Sequence, residues 1–87
     1  MKFYYVYVLQ SKIDNQWYTG YSDNLQRRLK EHKSGQCHAT KYRRPLKLIY
    51  FEGCLSKDDA IAREKYLKSG MGKRYLKNRM KRYFSKK

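Results

Sequence analysis

Residues 3–9 read Phe3-Tyr4-Tyr5-Val6-Tyr7-Val8-Leu9, and after a polar break residues 17–21 read Trp17-Tyr18-Thr19-Gly20-Tyr21. Aromatic and β-branched residues at a period of two predict two strands. In the first, Phe3, Tyr5, Tyr7 and Leu9 share one face, and Tyr4, Val6 and Val8 share the other. Neither face is polar, so this strand is expected to be covered on both sides. The break, residues 10–16, contains Asp14-Asn15, a turn signal that folds the two runs into a hairpin.

The remaining elements follow from their caps. A helix is expected over 24–34, with Asp23 as N-cap, Gln26 three residues on and Gly35 as its stop. Residues 36–45 make a polar, basic loop that ends at Pro45. Residues 46–52, from Leu46 to Glu52, form a third strand that is apolar on both faces. Ser56 and Asp59 make a capping box for a helix over 57–69, which Gly70 ends. A last helix runs from about 73 to 84. The order β-β-α-β-α-α predicts an α+β sandwich around a small sheet. At 87 residues, without a linker, the chain is one domain.

Composition narrows the function. The chain has 22 Lys and Arg against 7 Asp and Glu, a formal net charge of +15. That excess favours a polyanionic partner, nucleic acid or an acidic membrane surface. No run of apolar residues is long enough to span a bilayer. Positions 1–9 are too short and too tyrosine-rich for a signal peptide, so the expected compartment is the cytoplasm, with Cys37 and Cys54 as reduced thiols. A zinc site built from His32, Cys37, His38 and Cys54 lacks paired-ligand spacing. A glycine-rich phosphate loop is missing. The adjacent Asp58 and Asp59 diverge on a helix, so metal chemistry would rest on one ion.

Three residues depart from their surroundings. At about 100° per residue, Leu25 and Leu29 define the packing face of the first helix, and Arg28 and His32 fall on the same side, one turn apart. Arg27 points the opposite way. An arginine stem packed against the sheet with its head in water, and a satisfied, partly buried histidine, are the structural readings of that pair. Glu64 lies in the middle of the face marked by Ala60, Ile61 and Leu67. A carboxylate there either pairs with a nearby Arg or Lys or lines a cleft and holds a cation. In the last helix Leu76, Met80 and Tyr83 make the packing stripe, and Lys73, Lys77, Lys81 and Asn78 lie elsewhere. Residues 63–87 carry 11 basic residues and one acid, a concentration that suggests a phosphate-contacting surface.

Assembled in order, these pieces resemble the GIY-YIG nuclease family, and in particular its small stand-alone bacterial members, related to the endonuclease domain of the excinuclease. Tyr5-Val6-Tyr7 matches the first motif and Tyr18-Thr19-Gly20 the second. Asn24 to Leu29, with Glu31-His32, resembles the family's arginine helix, and Ala62-Arg63-Glu64-Lys65, with Leu67 to Gly70, its glutamate helix. The resemblance covers nearly the whole chain.

It implies a three-stranded antiparallel sheet flanked by helices, and cleavage of nucleic acid, DNA more than RNA, at a site with one divalent ion, Mg²⁺ or Mn²⁺. By position it makes Tyr7, Tyr18, Arg28, His32 and Glu64 the catalytic set, with Arg28 on phosphate and Glu64 on the metal. Tyr5 replaces the glycine of the first motif, Tyr21 stands where many relatives have lysine, and Asn78 is the candidate for a late asparagine. Arg27, Lys41, Arg43, Arg44, Lys73, Lys77 and Lys81 are the expected nucleic-acid contacts. The expected location is the cytoplasm, at the nucleoid, with no membrane partner and room for a protein partner that supplies specificity.

The chemistry has to overcome one obstacle. A tyrosine hydroxyl titrates near 10 and is a poor base at neutral pH unless cations lower it. Arg28 and a metal are expected to supply that field, so that Tyr7 takes a proton from an attacking water, directly or in concert with His32. Tyr18 and Arg28 would hold the phosphate. A covalent tyrosyl intermediate is the variant. The rival is a basic nucleic-acid-binding module without catalysis, and a weaker third reading is a membrane-surface protein.

Overall fold

A computed structural model describes residues 1–86. Its sheet is three-stranded and antiparallel, in the order β2-β1-β3, with β1 at Tyr4–Ser11, β2 at Trp17–Ser22 and β3 at Leu46–Cys54. The hairpin aligns Tyr7 with Gly20 and Leu9 with Tyr18, and on the other side Tyr7 lies opposite Phe51. The fold class is therefore the expected α+β. As the central strand, β1 is covered on both faces: Val6, Tyr7, Val8 and Leu9 are all buried. β3 is an edge, and Phe51 on it is 53% exposed.

The helices divide between the two faces. α1, Leu25–Ser34, lies over Tyr7 and Leu9. Its N-cap is Asn24, whose side chain accepts from the Arg27 N–H; Asp23, the expected cap, instead pairs with Lys2 and Arg27. Gly35 ends the helix at φ 86°, a left-handed conformation that glycine adopts without a Cβ penalty. On the opposite face Val6 and Val8 pack with Ala60 and Leu67 of α2, Lys57–Lys68, with Leu76 of α3, Gly70–Arg79, and with Met80. Tyr83 and Phe84 of α4, Lys81–Ser85, close that core at its rim.

The sequence places one helix end wrongly. Gly70 does not stop α2 and leave a gap; it begins α3, and Ser69 serves both helices. Its N–H donates to the Tyr66 carbonyl at the end of α2, and its hydroxyl oxygen accepts from the Gly72 N–H at the start of α3. The corner is so tight that a Cβ on Gly72 would strike the Tyr66 carbonyl. The expected single last helix is instead α3 and α4, broken at Met80. Ser56 caps α2 as expected, accepting from the Asp59 N–H.

Candidate active site

Tyr7 stands at the middle of β1 with no exposed surface. Across the ladder is Gly20, and a Cβ there would lie 2.5 Å from the Tyr7 hydroxyl. The phenol leans over the space that this glycine leaves open. Its hydroxyl meets His32 Nε2 at 2.8 Å.

His32 is the buried residue of α1, and its Nδ1 lies 2.7 Å from the Thr40 hydroxyl. Either neutral tautomer is satisfied, because both hydroxyls can donate or accept. Burial, followed by the charge of Arg28, holds the imidazole below its ordinary pKa. Thr40 is fully buried in the loop after α1, and the loop is tied back to the sheet. The Ser11 hydroxyl donates to the Arg43 carbonyl at 2.7 Å, and the Lys12 N–H to the Pro45 carbonyl at 2.9 Å.

Tyr18 and Arg28 complete the group. The half-buried Tyr18 ring lies 5.3 Å from the His32 ring and 6.5 Å from that of Tyr7, centroid to centroid. Arg28, one turn before His32, donates to Glu31 at 2.8 Å and reaches the Tyr7 hydroxyl. Its side chain remains one-third exposed (34%), so part of the guanidinium fork faces solvent. Beside the group opens a cleft of about 760 Å³, lined among others by Leu9, His32, Lys33, Lys41 and Arg44.

The protein's own groups do not activate Tyr7: burial pushes its hydroxyl up to about 12, against the opposing pull of Arg28. Desolvation of a phenolate in the middle of a sheet outweighs one partly solvated cation. At neutral pH Tyr7 is a neutral phenol, and the unprotonated base of the group is His32.

Glu64 makes no hydrogen bond or ion pair with the members of this group. It sits on α2, which packs on the Val6 and Val8 face, and successive residues of β1 turn Tyr7 to the other face. Its carboxylate, 20% exposed, pairs with the exposed Lys68 at 3.5 Å. Its neighbour Arg63 fixes α2 to β3, donating to Glu52 at 2.8 Å with the Tyr66 and Tyr75 rings around its guanidinium. Among the described residues no three of His, Cys, Asp and Glu come together as a metal cage. A single partly solvated carboxylate with a weak partner does suit Mg²⁺, which keeps several waters.

The other expected residues divide. Arg27 is exposed and shared between Asp23 and Glu31. Lys41 lies over Tyr42. Arg43 is half-buried, with its carbonyl accepting from Ser11. Arg44 donates to the Lys33 and Lys41 carbonyls and holds the loop beside Gly35. Lys73, Lys77 and Lys81 line a separate groove. Asn78 is exposed, and Tyr21 packs against the core on the α2 side, away from Tyr18. Sequence reasoning missed Thr40 altogether. It lies in a loop without periodicity, and a buried threonine there leaves no pattern to read.

Comparisons with known proteins show the family of the chain. Residues 3–75 match the GIY-YIG catalytic domain. A UPF0213 protein of Clostridium perfringens is 47% identical over 66 residues, 74% of this chain and 69% of that protein. The UPF0213 protein YazA of Bacillus subtilis is 41% identical over 66 residues, 75% of this chain and 66% of that one. The solution NMR structure of a UPF0213 protein from Bacillus halodurans superposes with a TM-score of 0.54 at 38% identity, covering 85% of this chain and 81% of the other.

Proposed function

The chain belongs to the GIY-YIG nuclease family, and on that premise we propose that it is a metal-dependent endonuclease hydrolysing phosphodiester bonds in nucleic acid, DNA in the first place. The observation that carries the reading is the convergence of Tyr7, Tyr18, Arg28 and His32 beside a cleft lined by Lys33, Lys41 and Arg44. A phosphodiester needs cations to hold it and a base to deprotonate water, and this arrangement offers both.

In this scheme, which requires substrate binding to uncover the buried Tyr7 hydroxyl, the water proton passes to the Tyr7 oxygen as the Tyr7 proton passes to His32 Nε2, so the phenol is never a free phenolate. Nδ1 carries the second proton and donates to Thr40. Arg28 and the Tyr18 hydroxyl hold the phosphate oxygens, and the bond from phosphorus to the 3′-oxygen breaks as the water oxygen bonds to phosphorus. Glu64 would hold Mg²⁺ or Mn²⁺. When bound, the ion supplies Lewis-acid stabilisation of the leaving oxygen.

The pairing of Glu64 with Lys68, and with no member of the Tyr7 group, favours the rival, a basic binding module, and experiment decides between them. Labelled single-stranded, duplex and branched DNA, and RNA, are incubated with Mg²⁺, Mn²⁺ or EDTA. The nuclease reading expects cleavage of at least one substrate with metal and none in EDTA, lost in Arg28→Ala. Tight binding of every substrate with no cleavage under any metal would establish the binding module instead.

A further inference from the structure

A second groove, of about 640 Å³, lies away from His32 and is lined by Trp17, Phe84, Gln16, Lys73, Lys77 and Lys81. Its aromatic part is a stacked pair, Trp17 on Phe84, with centroids 5.6 Å apart and planes 14° from parallel. Both rings are only partly buried. The basic part comes from one side of α3 and its continuation in α4. Lys73 and Lys77 are one turn apart, about 6 Å along the axis, and Lys81 follows at the next turn. All three are exposed, and among the described residues no carboxylate pairs with them. Many other cations here are committed: Lys2, Arg27, Arg28, Arg63 and Lys68 all hold carboxylates.

Lysines without partners beside an exposed aromatic pair and a wall of side-chain amides from Asn15 and Gln16 match the chemistry of a nucleotide chain. Phosphates meet the ammonium groups, a base lies on the ring, and amides face the base edge. An acidic peptide would satisfy the lysines but leave the rings and amides without a role. A membrane surface would require a broad exposed apolar face.

The groove also has a fixed relation to the catalytic group. Trp17 and Tyr18 are consecutive in β2, so their side chains point to opposite faces. β2 is an edge strand. The path from the groove to Tyr18 therefore bends around one strand edge. Duplex DNA, with a persistence length of about 50 nm, resists such a turn, and a single strand does not.

We infer that the Trp17–Phe84 groove binds a single-stranded segment of nucleic acid, one base stacking on the aromatic pair and the phosphates on Lys73, Lys77 and Lys81, and that the strand continues around the free edge of β2 to Tyr18. The inference rests on nucleic acid being the ligand, but not on its cleavage.

Trp17 is the one tryptophan of the chain, so its fluorescence reports on this groove directly. The probe is a short oligothymidylate titrated in EDTA, which separates binding from hydrolysis, beside a duplex of the same length. The expected result is saturable quenching by the single strand, with the duplex binding more weakly. The combined variant Lys73→Gln, Lys77→Gln, Lys81→Gln should weaken the single-strand affinity about tenfold at moderate salt. Its slope of log K against log salt should shrink by about 0.7 for each phosphate it no longer neutralises. Unchanged emission of the free variant shows that the groove is still folded. Absent quenching, quenching that the triple variant does not alter, or equal quenching by duplex and single strand would each overturn the inference. Cleavage failing under every metal would sink the nuclease and leave this titration as it stands.

Discussion

The Tyr7 hydroxyl and His32 Nε2 lie 2.8 Å apart, and burial shifts each group further toward its neutral form. For His32 the folded pKa lies below the unfolded value of about 6.5. The unfolded chain therefore takes up this proton first as pH falls. Its contribution to stability is fully present above about 6.5 and is lost as pH drops towards the folded value. Cleavage should follow the same limb, since only unprotonated His32 can accept from Tyr7. Thermal midpoints and rates between pH 5 and 8 for wild type and His32→Gln check this. The acid limb should disappear from the variant's stability curve, and a limb that persists would assign it to another group.

Tyr7 makes the opposite prediction at alkaline pH. Its folded pKa is raised to about 12 from an ordinary 10. The unfolded chain ionises first, so stability is whole below about 10 and is lost as pH rises towards 12. A shift of that size corresponds to roughly 2–3 kcal/mol. Tyr7→Phe removes this alkaline loss while leaving His32 Nε2 without its partner, at a cost of about 1–3 kcal/mol at neutral pH. The deficit of the variant relative to wild type should therefore be smaller at pH 11 than at pH 7, by about 1.4 kcal/mol, as denaturant midpoints at the two pH values will show.

Thr40 should behave as a positioning residue. Thr40→Val keeps the shape but removes the oxygen 2.7 Å from His32 Nδ1. The imidazole is then without its partner on Nδ1, the nitrogen that has to donate once His32 takes the proton. Turnover should fall by one to two orders of magnitude, about 1.4 kcal/mol each, with KM little changed. Thr40→Ser should restore most of it. A valine variant with normal turnover would show that the hydroxyl only fills space.

Gly20→Ala tests the close approach of β2 to the phenol. The added methyl would stand 2.5 Å from the Tyr7 hydroxyl, so the ring has to shift. Overpacking of this kind costs about 1–3 kcal/mol. The displaced hydroxyl also loses His32, so cleavage should fall further than the stability loss explains. Retained activity in a destabilised variant would separate Tyr7 from the chemistry.

The hairpin and the arginine helix are legible in the sequence because their signals are periodic. Alternation along residues 3–9 places Tyr7 and Val6 on opposite faces, and a helical wheel brings Arg28 and His32 to one side. Both arrangements occur in the structure. The corner at Ser69 and Gly70 misled for a physical reason. A serine followed by a glycine reads as a stop, but a helix can begin where another ends if one side chain satisfies both termini. The pKa of Tyr7 was beyond reach as well. Its direction depends on how completely the phenol is buried against how much of Arg28 stays in water, and a linear sequence does not weigh those against each other.

Glu64 poses the remaining question, which Glu64→Gln answers. Gln keeps the shape and most of the helix propensity but is a much poorer ligand for Mg²⁺. The pair that the substitution breaks, with an exposed Lys68 at 3.5 Å, is worth at most about 1 kcal/mol. Arg63 still anchors α2 through Glu52, so the thermal midpoint should scarcely move. If Glu64 holds the metal, cleavage should fall by orders of magnitude, because stabilising the leaving oxygen contributes several kcal/mol. Metal-free binding of nucleic acid should persist or tighten, since a negative charge has left a strongly basic chain. The three measurements on the two proteins are cleavage rate, affinity in EDTA and thermal midpoint. Wild-type cleavage in the variant would place Glu64 with the structural carboxylates of α2 and leave the metal to be held elsewhere.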